Sequence, residues 1–136
     1  MSTAVFRDAE HAAAVIGSFL SEESTKSNKL LCGSGLTIGY NLSSPSARMV
    51  LDFSVEPSED RSFDYYLNDE SAPITNVELF MDGNTFDRFW RGEERPMELL
   101  ESGKVEARGD IALALRMLPG LAMIVQSYKR FRQLHS

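Results

Sequence analysis

Apolar residues recur along the chain with a helical spacing, then a strand spacing, then a helical one again. Over residues 6–23, Ala12, Val15, Ile16, Phe19 and Leu20 fall three and four apart while Arg7, Glu10 and Glu22 lie elsewhere. That spacing predicts a helix with one buried stripe. From Leu36 the period drops to two. Four runs built on Leu36-Ile38-Tyr40-Leu42, Met49-Leu51-Phe53-Val55, Phe63-Tyr65-Leu67 and Val77-Leu79-Met81 predict strands near 36–42, 47–55, 62–67 and 74–81. Ser43-Ser44-Pro45-Ser46 makes a hairpin of the first two, and residues 56–60 form an acidic loop before the third.

Helical spacing returns near 84–91 and 96–102, the second of these opened by Pro96. A short strand near 104–108 carries Val105 inward, and an apolar helix follows over 111–134. Gly103 ends the preceding helix where a left-handed residue is needed. Gly109 lets the chain turn so that Asp110 caps the next helix. Strands followed by helices on one face predict an α+β layer: a five-stranded, mainly antiparallel sheet, with residues 1–136 forming one domain.

The closing third carries more apolar surface than a small sheet can cover. Phe86, Phe89 and Trp90 share one flank of a short helix, with Met97, Leu99 and Leu100 just beyond. The last helix presents Ile111, Leu115, Leu118, Leu121 and Ile124 together with Leu113, Met117, Met123 and Val125, so apolar residues surround it on every side. Such a helix is buried all round or faces something else apolar. A plain core with a dimer contact, a ligand cavity and a membrane interface each satisfy that demand. The Pro119-Gly120 pair interrupts the helix ladder and marks the expected portal of a cavity.

Composition narrows the function classes. The 136 residues sum to a net charge of −6 with 25% charged residues, the wrong sign for a general nucleic-acid partner. Residues 111–136 run against that total, since Arg116, Lys129, Arg130 and Arg132 stand there without an acid. They suit the negative end of a helix, or a basic tip that touches anionic headgroups. Cys32 is the only cysteine, so no intrachain disulfide forms and a reducing compartment is expected. Acids at Asp8 and Glu10 precede any long apolar run, unlike a secretory signal, and the apolar segment 111–125 is too short to span a bilayer. A cytoplasmic protein is expected.

Catalytic constellations are thin. His11 and His135 are the two histidines and sit near opposite chain ends. Glu93 and Glu94 are adjacent acids in a polar loop, and Gly33-Ser34-Gly35 lacks the length and following helix of a phosphate cradle. An enzyme would need an acid such as Asp82 or Asp110 beside the apolar cleft. Neither catalysis nor a cofactor is expected.

Residues 77–118 carry a further signal. An aromatic helix, Gly-Glu, a Pro-led turn, Ser-Gly-Lys-Val-x-Ala-x-Gly-Asp and an apolar helix follow one another there, and this order resembles the sterol carrier protein type 2 family of lipid-binding domains. The matching residues are Phe86, Gly92, Pro96, Gly103, Lys104, Val105, Gly109, Asp110, Ala112 and Leu115. The resemblance implies an apolar tunnel between sheet and helices and a non-catalytic carrier of a sterol, fatty acid, fatty acyl-coenzyme A or polyisoprenoid. It makes Phe86, Phe89, Trp90, Met97, Leu100, Ile111, Leu115, Leu118, Leu121 and Ile124 the expected lining. The alternative is an accessory or dimerising protein whose core is filled by its own side chains.

Overall fold

The computed structural model describes residues 5–25, 34–56 and 62–134. Cys32, His135, Gly33, the Leu30-Leu31 pair and acidic-loop residues 57–60 lie outside the described residues, as do the ends of residues 1–136. The elements run α1 (Ala9–Glu23), β1 (Thr37–Ser43), β2 (Ala47–Asp52), β3 (Asp64–Leu67), β4 (Val77–Asp82), α2 (Gly83–Trp90), α3 (Pro96–Ser102), β5 (Glu106–Gly109), α4 (Ile111–Arg116) and α5 (Leu118–Leu134). Strand order in the sheet is β3-β2-β1-β4-β5. The pairs β1–β2, β2–β3 and β4–β5 are antiparallel, while β1 and β4 are parallel. The sheet is therefore mixed. Hairpins set the antiparallel neighbours, and residues 68–76 carry the chain back across β2 and β1 to lay β4 along β1.

Alternation decides the faces. Ile38, Tyr40, Leu42, Met49, Leu51, Val77 and Met81 point to one side and are buried with Ile16, Phe19, Leu20, Phe86, Trp90, Ile124 and Tyr128 in one core. On the far side Arg48 pairs with Glu78, and Asn41 donates to Glu78 Oε2 at 3.0 Å. That carboxylate lies across Gly39, whose lack of a Cβ leaves it room. Helix α1 covers β2 and β3, α2 covers β1 and β4, α5 crosses α1 and α2, and α4 contacts α5.

Helix α1 starts at Ala9 rather than at residue 6, β2 ends at Asp52 rather than at 55 and β3 starts at Asp64 rather than at 62, and three further boundaries differ for a clear physical reason. The fourth strand starts at Val77, since Pro73 has no N–H for a ladder and Ile74 is 97% exposed. The fifth starts at Glu106, with Val105 buried just before it. The helix expected over 111–134 is two helices. Their junction is Met117, not Pro119-Gly120, because Pro119 stands in the first turn of α5, where a missing N–H costs nothing. Ile111 and Leu115 are each 38% exposed, so α4 is not enclosed all round.

The hinge between β5 and α4 depends on Asn76. Its side chain accepts from the Thr37 amide at 2.9 Å and donates to the Gly35 carbonyl at 2.7 Å, while its own carbonyl accepts from the Asp110 amide at 2.7 Å. Gly109, at φ +99, touches that carbonyl so closely that an added Cβ would lie 2.4 Å from it. Asp110 then caps α4 by accepting from the Leu113 amide at 3.1 Å, and Asp82 caps α2 from the Thr85 amide at 2.7 Å. The two acids considered as catalytic candidates are thus helix caps.

A second tie clamps α2 to α5. Asp87 is 2% exposed; Tyr128 donates its hydroxyl to Oδ1 at 2.6 Å and Arg91 donates Nε to Oδ2 at 2.6 Å. Arg132, also buried, brings Nε to 3.3 Å from Oδ1 as an ion pair without hydrogen-bond alignment, and its guanidinium lies 5.8 Å from the Phe6 ring centroid. Burial, and then the charge of Asp87, pushes the Tyr128 phenol well above its ordinary pKa, so it stays a neutral donor. Arg132 is therefore removed from the basic tip expected at the chain's end.

Two stability tests follow. Gly103→Ala, at φ +79 with nothing within 4 Å, should cost about 1 kcal/mol, and Gly109→Ala about 3 kcal/mol because a fixed carbonyl stands in the way. Equal losses in urea denaturation would remove Asn76 from its role. Asp87→Ala should cost about 3–5 kcal/mol because it leaves the buried Arg132 uncompensated and the Tyr128 hydroxyl without its acceptor. A loss below about 1 kcal/mol would show that the tie is dispensable.

Candidate ligand-binding cavity

The floor of the site is aromatic. Tyr40 comes up from β1, a strand flanked on both sides by others, and meets Phe86 and Trp90 edge-on at centroid separations of 5.8 and 5.4 Å. Phe19 and Tyr128 close the cluster, at 5.8 and 5.5 Å from Trp90. These are the separations at which ring edges and faces attract. Burial raises the Tyr40 pKa above the ordinary phenol range, partly offset by a hydrogen bond from Trp90.

Beyond that floor the side chains stop meeting. A cavity of about 360 Å³ lies between the start of α5 and the turn joining α2 to α3. Its walls are Tyr40, Phe89, Trp90, Gly92, Pro96, Leu118, Leu121, Ala122, Ile124 and Val125, with Glu94 and Arg95 as its charged members. Glu94 accepts from Arg88 Nε at 3.3 Å, and Arg95 is exposed. A smaller cavity of about 50 Å³ adjoins it between the sheet, α3 and α4. The two share Tyr40, Phe89, Pro96, Leu118 and Leu121. Among the described residues they are adjoining chambers with a common wall, and a continuous tunnel is not shown.

Gly92 explains part of the space. At φ +77 it turns the chain out of α2, and an added Cβ would lie 3.3 Å from Val125. Pro96 then starts α3 at its first turn without losing a hydrogen bond.

The expected lining residues divide into three sets. Phe89, Trp90, Leu118, Leu121 and Ile124 line the larger cavity; Phe89, Leu100, Ile111, Leu115, Leu118 and Leu121 line the smaller one. Phe86 lines neither, because it is fully buried beneath Tyr40 and Trp90. Met97 lines neither, being 49% exposed on the outer side of α3. Tyr40 was legible as an inward strand residue but its place on the floor was not, because strand alternation gives a side and not a partner. The Asp87 tie had no signal at all, since Asp87 and Tyr128 are 41 residues apart.

No family model and no curated protein matches the sequence. Solved structures do match. The chain is 19% identical to UbiJ-SCP2, a ubiquinone synthesis protein, with a TM-score of 0.56 over 82% of this chain and 89% of that one. It is 15% identical to sterol carrier protein 2 from Yarrowia lipolytica in its apo form, with a TM-score of 0.55 over 89% and 91%. It is 12% identical to the sec-alkylsulfatase Pisa1 from Pseudomonas sp., with a TM-score of 0.52, and there spans only 14% of that chain. Two of these three are matched nearly end to end, and with the α+β layer, the five-stranded sheet and the element order above, the fold of this chain is that of sterol carrier protein 2.

Proposed function

We propose that this protein is a non-catalytic lipid carrier, holding an elongated apolar molecule such as a sterol, fatty acid, fatty acyl-coenzyme A or polyisoprenoid between its sheet and α2–α5. The observation that carries this reading is the pair of adjoining apolar cavities, which the chain's own side chains leave unfilled. The larger, at about 360 Å³, is within the size range of small-molecule sites. Burying roughly 300 Å² of hydrocarbon at about 25 cal/mol per Å² supplies on the order of 7 kcal/mol before ordering costs, which leaves micromolar affinity. An accessory protein with a filled core has no use for such a space. The likeness to the solved structure of a sterol carrier protein supports the same reading.

In this reading residues 1–136 act as one domain in the cytoplasm, the two chambers join when a ligand separates Phe89 from Leu118 and Leu121, and catalysis plays no part. No helix among the described residues is long and apolar enough to cross a membrane. Transient contact with a membrane surface falls to exposed Ile111 and Leu115 with Arg116 beside them on α4.

Native mass spectrometry of protein purified without detergent should find a co-purifying apolar ligand, and a fluorescent fatty-acid probe should bind with micromolar affinity. A bare protein mass together with no probe response would sink the proposal. Ala122→Trp fills the larger cavity from an exposed position, so it should weaken the probe at least about tenfold while the melting temperature stays within a few degrees. Unchanged affinity would place the probe elsewhere.

A further inference from the structure

Both chambers are lined by one residue able to offer a hydroxyl. Among the cavity-lining residues only Tyr40, Trp90, Glu94 and Arg95 have polar side-chain atoms. Glu94 is engaged by Arg88 and Arg95 is exposed, so these two belong to the rim. Tyr40 and Trp90 are each 2% exposed and belong to the floor. Of these two, the Trp90 indole has one N–H and no acceptor, and only the Tyr40 hydroxyl can both donate and accept.

Once an apolar molecule fills the chambers and displaces water, a hydroxyl on their floor lacks a partner unless that molecule supplies one, because the walls are apolar. We infer that Tyr40 is a specificity-determining residue of the cavity, donating its hydroxyl to an acceptor oxygen, such as a ketone or ester carbonyl, on the apolar molecule that fills it. This rests on the carrier reading and sharpens it: the ligand is a hydrocarbon body with an oxygen that reaches the floor, and not a bare hydrocarbon. Because Tyr40 lines both chambers, that oxygen sits where they adjoin, and the hydrocarbon extends past Phe89 and Leu121 on either side. A site built to donate one hydrogen bond discriminates against an analogue that lacks the acceptor, because the donor is then left buried and unpaired.

Trp90 is the only tryptophan in the chain, so its emission reports directly on the floor. Titration with a long-chain methyl ketone and with the alkane of equal length should show the ketone binding on the order of tenfold more tightly to the native protein. Tyr40→Phe should bring the two affinities to within about twofold of each other. With the ketone carbonyl carbon-13 labelled, its infrared stretch should fall to lower frequency in the native complex and return in Tyr40→Phe, a readout that a merely structural role would not move. Equal affinities in the native protein, or a preference and a carbonyl shift that survive Tyr40→Phe, would overturn this assignment while leaving the carrier reading intact. Failure of both probes to bind the native protein would overturn the carrier reading and this one with it.

Discussion

The structure depends on one buried carboxylate. Asp87 holds the C-terminal half of α5 against α2 through Tyr128 and Arg132, and its own helix through Arg91. Ionised groups enter an interior only with partners, and the geometry that supplies them is directional where apolar contact is not. The tie therefore fixes where α5 lies along α2. Phe19 reinforces it at 5.1 Å from Tyr128 and 5.6 Å from Phe131. One turn before Tyr128 is Ile124, fully buried, and from there back to Leu118 the walls separate. A helix clamped at one end and unclamped at the other leaves a wedge of space. The cavity is that wedge.

What fills the wedge follows from which side chains border it. Ala122, Gly92 and Pro96 contribute little volume, while Leu118 and Leu121 stand in the wall it shares with the smaller cavity. Native interiors are close-packed, so a space of this size persists only where surrounding contacts hold the walls apart. Here the aromatic floor of Tyr40, Phe86 and Trp90 is itself close-packed and cannot move upward into it. Rigidity below and small residues above keep the chambers open.

Much of the fold was legible because its signals are local. Alternation in β1 and β2, the cap at Asp110 and the left-handed Gly103 each involve residues a few positions apart. The parallel pairing of β1 with β4 was not legible, since nothing in either strand records its neighbour; the pairing is set by the path of residues 68–76 and by Asn76 bonding to Thr37. Half of the helix break was legible. Pro119 announced an interruption, but a proline disrupts the turn before it, so the junction fell at Met117. In the cavity, helical spacing grouped Phe89 with Trp90 and Leu118 with Leu121. It also admitted Phe86, because spacing cannot tell a residue that borders space from one beneath it.

The break at Met117 also ranks the elements by how firmly they are held. Helix α4 has six residues and no fully buried side chain, whereas α1, α2 and α5 each have several. Its ties are the Asp110 cap, the amide bond to Asn76 and the half-buried Leu113, Ala114 and Met117. Displacing α4 exposes the least core of any helix and leaves the Asp87 tie and the aromatic floor untouched. Local opening follows the least buried surface, so the chamber beneath Ile111 and Leu115 is the part of this cavity whose size the protein changes at the lowest free-energy cost.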